Sequence, residues 1–340
     1  MSIMTNQDIM NAIAKGWTPN NYLTNMSVAH FQPGEWFVSP FIFPILPVQL
    51  STSYYYKFNK ADLARDNVKR KPQFGKVPPF VVGTTTELYN CEVDQVIMGI
   101  DQISALNYQR AGTPGINDPR RAKVRIATES MRIHMDRIFA DAYFKAGVWT
   151  EQWAGAASNP TGKQFYKFSD ANFDPIAFFK ARRKDMMLAG RRSPNVLALG
   201  VESYNALSVH PDLIERVKYS GSTPNPATVN TNVIAQLLEI DRVVVLNSVY
   251  NSAAAGADEN MSFICDSKGA LLCYSNPNPA IDEPSAGYTF AWDMLGNGSY
   301  LAFDQFEGER GTHTEYIEGL MSTTPKKVCD ELGTYLTGCV

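Results

Sequence analysis

Two strand-like segments separated by a long charged span limit what this chain of 340 residues can fold into. Residues 51–58 and 80–89 are rich in β-branched and aromatic side chains, which is typical of β-strands. The polar span from Asn59 to Pro79 carries Lys60, Asp62, Arg65, Asp66, Lys69, Arg70, Lys71 and Lys76. Two strands joined in this way predict a projecting β-hairpin, which buries too little of its own surface to be stable alone. We therefore expect the hairpin to lie on another molecule, or to be mobile in a free chain.

An apolar run interrupted by prolines precedes the hairpin. Residues 37–48 are strongly apolar, yet they include Pro40, Pro44 and Pro47. Proline lacks the amide donor and fixes its own backbone angle, so this run is expected to be neither a helix nor a central strand. It predicts an extended apolar strap. Residues 1–34 carry too few apolar side chains for a core of their own and predict an arm that packs on something else.

The clearest predicted helix begins after Asp118, a capping residue, with Pro119 at the first helical position, and runs to about Gly147. Apolar residues recur at three- and four-residue steps along one face: Val124, Ala127, Met131, Met135, Ile138 and Ala142. The other face is charged, with steps suited to ion pairing: Arg121, Arg125, Glu129, Arg132 and Asp136. At 1.5 Å per residue, this helix would be a beam of ~45 Å.

A second region alternates strands with helices. After a loop rich in small residues at 154–162, Asp174 and Pro175 begin a helix, and residues 195–200 and 242–246 predict buried strands with helical patterns between them. Beyond Ser262 the pattern becomes strand-like, and these strands are expected to pack on the long helix. Apolar residues at 44% are ordinary for a folded globular protein. The sequence therefore predicts an α+β fold.

The usual patterns of catalytic and metal-binding sites are missing from the sequence. The histidines are far apart, and the five cysteines lack the spacing of a metal finger. The stretch around Gly162 fails to match a phosphate-binding loop, and no nucleophile elbow occurs. We expect no enzymatic activity, no cofactor and no metal. We also expect no membrane segment, because no apolar run approaches the roughly 20 residues that a membrane helix needs.

Charge is divided unevenly along the chain. Residues 1–192 carry 24 Lys and Arg against 16 Asp and Glu, whereas residues 193–340 carry 7 against 18. Two different solvated surfaces would account for this division. The alternative is attraction between copies, with the positive region of one facing the negative region of the next, as a closed assembly requires.

Several stretches resemble a known family. They are Pro44-Ile-Leu-Pro-Val48 with residues 53–58 and Arg65-Asp66, then Asp174-Pro-Ile with residues 191–200 and 207–219, and finally residues 241–245 with Val249-Tyr-Asn251. In these stretches and in the order of its elements, the chain resembles the tailed-bacteriophage major capsid family. That family has the Hong Kong 97-type fold, which encapsulins and herpesvirus floor domains share.

The resemblance implies a division of the chain into named parts. These are an N-terminal arm and strap (1–49), an extended hairpin called the E-loop (50–93), a peripheral domain (94–189) with a spine helix (118–147), an α/β axial domain (190–275), and closing strands of the peripheral domain with the C-terminus (276–340). Contacts between subunits would involve Lys57, Lys60, Asp62, Arg65, Asp66, Lys69, Arg70 and Lys71 of the E-loop. The charged face of the spine helix would be Arg121, Arg125, Glu129, Arg132 and Asp136.

The function that the resemblance implies is structural. Copies would assemble into the hexamers and pentamers of an icosahedral head that encloses double-stranded DNA, held by weak non-specific contacts. A separate scaffolding protein and a portal are the expected partners, in the host cytoplasm during assembly and then in the virion capsid. Two alternatives stay open: an encapsulin-type nanocompartment shell, and a cytosolic α/β enzyme whose site is not recognisable from sequence.

Overall fold

A computed structural model describes residues 36–71, 73–102, 119–220, 229–254, 256–280, 283–294 and 299–340. The predicted N-terminal arm and the capping residue Asp118 lie outside these residues. Within the described residues, helices and strands are mixed along the chain.

The predicted strap is extended only in its second half. Its first half forms a short helix, α1 (Ser39–Ile42), followed by strand β1 (Ile45–Val48). The expectation that this run contains no helix is wrong, because Pro40 lies in the first helical turn, where its missing amide is not needed. β1 lies at the edge of a sheet, where Pro47 is tolerated.

The two predicted strands pair as a β-hairpin. It consists of β2 (Thr52–Phe58), a short helix α2 (Lys60–Ala64) and β3 (Thr84–Asn90), and β2 pairs antiparallel with β3 in a sheet of two strands. β3 begins later than the sequence indicated. The side chain of Asn59 caps α2 by accepting from Ala61 N, so β2 ends at Phe58 and residues 80–82 have no strand to pair with.

The long helix follows strand β4 (Val93–Asp101) and is shorter than expected. Helix α3 (Pro119–Tyr143) has 25 residues, or about 37 Å at 1.5 Å per residue. It ends near Phe144, whose ring packs edge-on against Tyr335 at 5.4 Å. In its last turns the buried side chains are Phe139 and Ala140, because there the helix leaves one core for another.

The remaining elements mix helices and strands as far as residue 246 and are nearly all strands beyond it. They are β5 (Glu151–Ala156), β6 (Gln164–Tyr166), α4 (Pro175–Gly190), β7 (Val196–Gly200), α5 (Val201–Ser208), α6 (Pro211–Ser220), α7 (Thr231–Leu238), β8 (Arg242–Leu246), β9 (Val249–Asn251), β10 (Met261–Phe263), β11 (Ala270–Cys273), β12 (Gly287–Trp292), β13 (Leu301–Glu307), β14 (Thr314–Lys327), a 3-10 helix (Asp330–Leu332) and β15 (Gly333–Thr337). The buried strands predicted at 195–200 and 242–246 are confirmed as β7 and β8.

The first large sheet has the order β1-β12-β14-β13, and β4 also pairs with β14. Helix α3 packs on this sheet, as expected for the closing strands. The shared core consists of Ile100, Val124, Ala127, Met131, Met135, Leu301, Phe303, Ile317 and Met321. Gly319 on β14 allows this close approach, because a Cβ there would lie 2.6 Å from Met131 Cε.

The second large sheet has the order β6-β5-β15-β11-β7-β8. Three of its strands lie outside the range 190–275 that was expected to hold the axial domain. β5 and β6 come before that range. β15 follows it and inserts between β5 and β11, with Leu336 fully buried. The closing strands therefore serve both sheets.

Candidate assembly interface

One face of the hairpin is anchored on the body of the chain. The rings of Tyr55 and Tyr89 pack on Phe290 of β12, with centroids 5.5 Å and 4.5 Å away. The hydroxyl of Tyr55 donates to Glu87 Oε2 at 2.6 Å, and burial together with this carboxylate raises the pKa of Tyr55. Only 3% of Tyr55 is exposed. This face fixes the base of the hairpin.

The opposite face of the hairpin is an unpartnered aromatic surface. Tyr54, Tyr56 and Phe58 alternate with the anchoring residues along β2, and Leu88 lies opposite Tyr54. These four residues, called the aromatic stripe, are 67%, 64%, 54% and 46% exposed, respectively. Exposed contiguous apolar surface is typical of a protein interaction site. The hairpin therefore has one face for its own subunit and one that is open to another molecule.

The far end of the hairpin, residues 65–71 and 73–81, is called the tip. Val68, Phe74 and Val81 are 89%, 97% and 78% exposed. Lys69, Arg70 and Lys71 are exposed too, and none of the three forms an ion pair with a described residue. The tip thus combines apolar side chains with free positive charge.

The other predicted contact residues of the hairpin have partners within the chain. Lys57 pairs with Glu87 at 2.7 Å, Lys60 with Glu331 at 2.8 Å, and Arg65 with Asp62 at 3.9 Å, while Asp62 accepts from Gly83 N at 3.1 Å and Asp66 accepts from Val68 N at 3.1 Å. These groups shape the hairpin and its attachment. The role of all eight residues between subunits stays a prediction.

The predicted charged face of α3 includes one residue that is not on the surface. Arg121, Arg125 and Glu129 are exposed, and the guanidinium of Arg132 lies 5.8 Å from the ring of Phe37. Asp136, however, is only 1% exposed, so the expectation that it lies on the charged face is wrong.

Asp136 is buried because α1 begins beside it. Its Oδ1 accepts from Ser39 N at 3.2 Å, while Val38, the capping residue of α1, provides no side-chain acceptor. The hydroxyls of Ser39 and Ser248 also face the carboxyl group, and burial raises its pKa. The signal that could have revealed this role is Pro40, which marks a helix start that lacks its own cap.

A second contact of α3 had no signal in the sequence. Arg120 binds Glu315 of β14 through two hydrogen bonds of 2.8 Å, and Glu315 is only 5% exposed. The two residues are 195 positions apart, so no local pattern could pair them.

A cleft lies between the shoulder of the hairpin, where β2 is followed by α2, and the body of the chain. This shoulder cleft has a volume of about 830 Å³, with walls that include Phe58, Leu63, Arg191, Cys329 and Glu331. Several of its charged groups are paired: Lys60 with Glu331, Arg192 with Glu283 at 3.3 Å, and Lys327 with Asp330 at 2.6 Å.

The outer face of the first sheet, opposite α3, is acidic and partly apolar. Strand registers place Ile97, Glu318 and Asp304 side by side, and the next row holds Tyr316 and Phe306. The rings of Phe306 and Tyr316 stack at 5.3 Å. Ile97 and Phe306 are exposed. This surface, called the acidic face, is complementary to the basic tip in charge and in apolar content.

Groups that could support catalysis are scarce in the described part of the chain. No cluster of three or more His, Cys, Asp or Glu is placed to hold a metal there. All five cysteines are free, and burial raises the pKa of Cys91 and of Cys273 to about 12. Among the described helices, none has the length and apolar character needed to cross a membrane.

Comparison with known proteins gives a consistent result. The major capsid protein of Burkholderia phage BcepMu is 23% identical over 276 residues, which are 78% of this chain and 81% of that protein. No protein-family model matches the chain.

Three solved structures share the fold. A phage-related protein from Bordetella bronchiseptica RB50 superposes with a TM-score of 0.69 at 18% identity, covering 95% of this chain and 97% of its own. The capsid protein of cyanophage P-SCSP1u gives a TM-score of 0.51 at 9% identity, covering 87% and 86%. The SrpI encapsulin of Synechococcus elongatus PCC 7942 gives 0.51 at 8% identity, covering 98% and 96%. The chain therefore has the fold that phage capsid proteins share with encapsulins. Its sequence is also similar to that of a phage major capsid protein, and the two findings together confirm the resemblance to the tailed-phage major capsid family.

Proposed function

We propose that this chain is the structural subunit of a tailed-phage head. Copies assemble into hexamers and pentamers of an icosahedral shell that encloses double-stranded DNA. The observation that carries the proposal is the hairpin, whose aromatic stripe is exposed and whose tip residues Lys69, Arg70 and Lys71 form no ion pair with a described residue.

The aromatic stripe is large enough to matter energetically. Burying a large apolar side chain contributes about 1.5–3 kcal/mol relative to leaving it in water. Docking the four side chains of the stripe on a neighbour would therefore offset much of the entropy lost on association. A single subunit gains nothing from exposing them, so the favourable state is one in which another copy covers them.

Charge supports a defined orientation of this contact. The tip carries Lys69, Arg70 and Lys71, whereas the acidic face carries Asp304 and Glu318. We infer that the tip of one copy meets the acidic face of the next. A contact between two different surfaces of the same chain is heterologous, and such contacts close into rings when the rotation permits. Rings of this kind are the capsomers that a shell requires.

The proposed shell function also implies partners other than copies of this chain. A separate scaffolding protein and a portal would direct assembly in the host cytoplasm. Exposed basic side chains would make weak contacts with the phosphates of packaged DNA, without reading its sequence. The assembled protein would belong to the virion capsid.

An encapsulin-type shell is the second candidate, since an encapsulin has the same fold. The sequence similarity to a phage protein favours the phage head. The contents of particles purified from cells distinguish the two, because an encapsulin encloses a cargo protein and a phage head does not depend on one. A cytosolic enzyme is the least supported alternative, since the named relatives are structural proteins.

Reversing the charge of the tip tests the proposal. The triple variant Arg65→Glu, Lys69→Glu and Arg70→Glu should fold with unchanged circular dichroism but form few shells, because the tip would then repel the acidic face. Electron microscopy and sedimentation of the expressed protein measure the yield.

A matched control changes the same amount of charge elsewhere on the exposed surface: Lys145→Glu, Lys184→Glu and Arg216→Glu. It should assemble better than the tip variant. Shells of wild-type yield and thermal stability from the tip variant would refute the role of the tip. A wild-type chain that stays monomeric with and without a scaffolding protein would refute the shell function itself.

A further inference from the structure

Two polar bridges cross the shoulder cleft and connect the hairpin to the body. Lys60 Nζ, at the start of α2, lies 2.8 Å from Glu331 Oε1 of the 3-10 helix. One turn further along α2, the backbone oxygen of Leu63 accepts from Arg191 Nη1 at 3.2 Å. The hairpin provides the hydrogen-bond donor of the first bridge, and the body provides the donor of the second. Both bridges cross a cleft of about 830 Å³ and connect α2 to the body, beyond the aromatic anchor of Tyr55 and Tyr89 on Phe290 at the base of the hairpin.

The backbone of Arg191 is strained in a way that suggests a use for its side chain. Arg191 ends α4 with φ of 59°, in the left-handed region that favours glycine at this position. Its neighbour Gly190 has a separate reason to be glycine, since a Cβ there would lie 2.4 Å from Leu332 Cδ2. An arginine kept at a position suited to glycine points to a function for the guanidinium. The contact that the structure shows for it is the hairpin.

Both bridges are accessible to solvent and therefore weak. The side chains of Lys60 and Glu331 are 47% and 46% exposed. Partial burial raises the pKa of Glu331, but the hydrogen bond and the charge of Lys60, together with a backbone hydrogen bond, outweigh it and the pKa is lowered. Exposed ion pairs contribute little to folding stability. Their effect here is on the position of α2, because the aromatic anchor of Tyr55 and Tyr89 on Phe290 lies at the base of the hairpin and not at α2.

We propose that Lys60, Glu331 and Arg191 form a clasp that sets the hairpin at the angle needed for docking on a neighbouring copy. This proposal rests on the proposed shell function. A hairpin held in place loses less conformational freedom on docking, so the clasp speeds assembly without adding a contact between subunits. The clasp is intramolecular, which distinguishes it from the tip and the stripe.

Charge reversal and charge exchange test the first bridge. Lys60→Glu and Glu331→Lys should each slow the initial rate of shell formation, followed by light scattering, by about two- to five-fold. The double variant Lys60→Glu with Glu331→Lys restores the pair and should restore most of the rate. Amide hydrogen exchange in α2 of unassembled subunits should rise in both single variants and fall again in the double variant.

Replacement of Arg191 by glycine tests the second bridge independently. Arg191→Gly removes the guanidinium but relieves the strained backbone, so the subunit should unfold at an equal or higher temperature while assembling more slowly. A purely structural role for Arg191 would give slower assembly only together with lower thermal stability.

The outcomes separate the two proposals. If the exchanged pair fails to restore the rate and hydrogen exchange, or if Arg191→Gly assembles at the wild-type rate, the clasp is refuted while the shell function stands. If the wild-type chain never assembles, the shell function is refuted, and hydrogen exchange in α2 still shows whether the two bridges act on the hairpin.

Discussion

The buried carboxyl group of Asp136 offers a sharp test of how the strap, the long helix and the second sheet are joined. It accepts from Ser39 N at 3.2 Å and faces the hydroxyls of Ser39 and Ser248, with only 1% of the residue exposed. Asp136→Ala leaves the Ser39 amide without an acceptor, which costs about 1–3 kcal/mol. The hydroxyls of Ser39 and Ser248 form no hydrogen bond with a described residue, so the loss at the amide dominates and we expect the free energy of unfolding to fall by roughly 1–3 kcal/mol.

Asp136→Asn is the matched variant, because its amide oxygen can still accept from the Ser39 amide. At neutral pH it should be destabilised much less than Asp136→Ala. The measurement is urea-induced unfolding of unassembled subunits, followed by fluorescence, with the slope of the transition checked for constancy.

The free energy of unfolding should differ between wild type and Asp136→Asn by an amount that changes with pH in a definite direction. Burial raises the pKa of Asp136 in the folded chain above the unfolded value of about 4. Such a group contributes its full stabilisation below pH 4 and loses it as the pH rises through the folded pKa. The stability of the wild type relative to the Asn variant should therefore fall as the pH rises above 4. A difference that does not change with pH, or an Ala variant as stable as wild type, would refute this account of Asp136.

Two further predictions concern the stripe and the core. The double variant Tyr54→Ser and Tyr56→Ser should keep the thermal stability of the subunit in calorimetry, because both side chains are exposed in the free subunit. In electron microscopy it should reduce the yield of shells at least as strongly as the tip variant does. Gly319→Val should lower the free energy of unfolding by about 1–3 kcal/mol in urea titrations, because the valine side chain would displace Met131 from the core. Unchanged stability of this variant would show that the helix and the sheet can move apart without cost.

Local patterns in the sequence predict some of this structure well. The pattern of β-branched and aromatic residues correctly indicates the two strands of the hairpin, and the apolar period correctly predicts the buried face of α3 from Val124 to Met135. Both features depend on neighbours within a few residues. The direction in which Asp136 points depends instead on α1, almost a hundred residues away in the chain, and no local period reports it.

Sheet membership is the other feature that the sequence could not provide. β15 has an apolar pattern suited to either sheet, and its place between β5 and β11 depends on pairings with strands far away in the chain. The same holds for the candidate interface. Tyr54, Tyr55 and Tyr56 are consecutive and chemically alike, so composition does not indicate which of them faces the body and which faces solvent.

In the proposed shell, the alternation of side chains along β2 would let the subunit use one face of the strand for folding and the other for assembly. Along β2, Tyr55 points to Phe290 and fixes the hairpin base, while Tyr54 and Tyr56 lie on the opposite face of the strand and are exposed. Because successive side chains of a strand face opposite sides, one segment can contact two molecules without either contact disturbing the other. A slip of one residue in the pairing of β2 with β3 would exchange the two sets. In the proposed shell, the paired side chains of Tyr55 and Glu87 would therefore protect assembly as well as the fold, since they hold the register that keeps the stripe exposed.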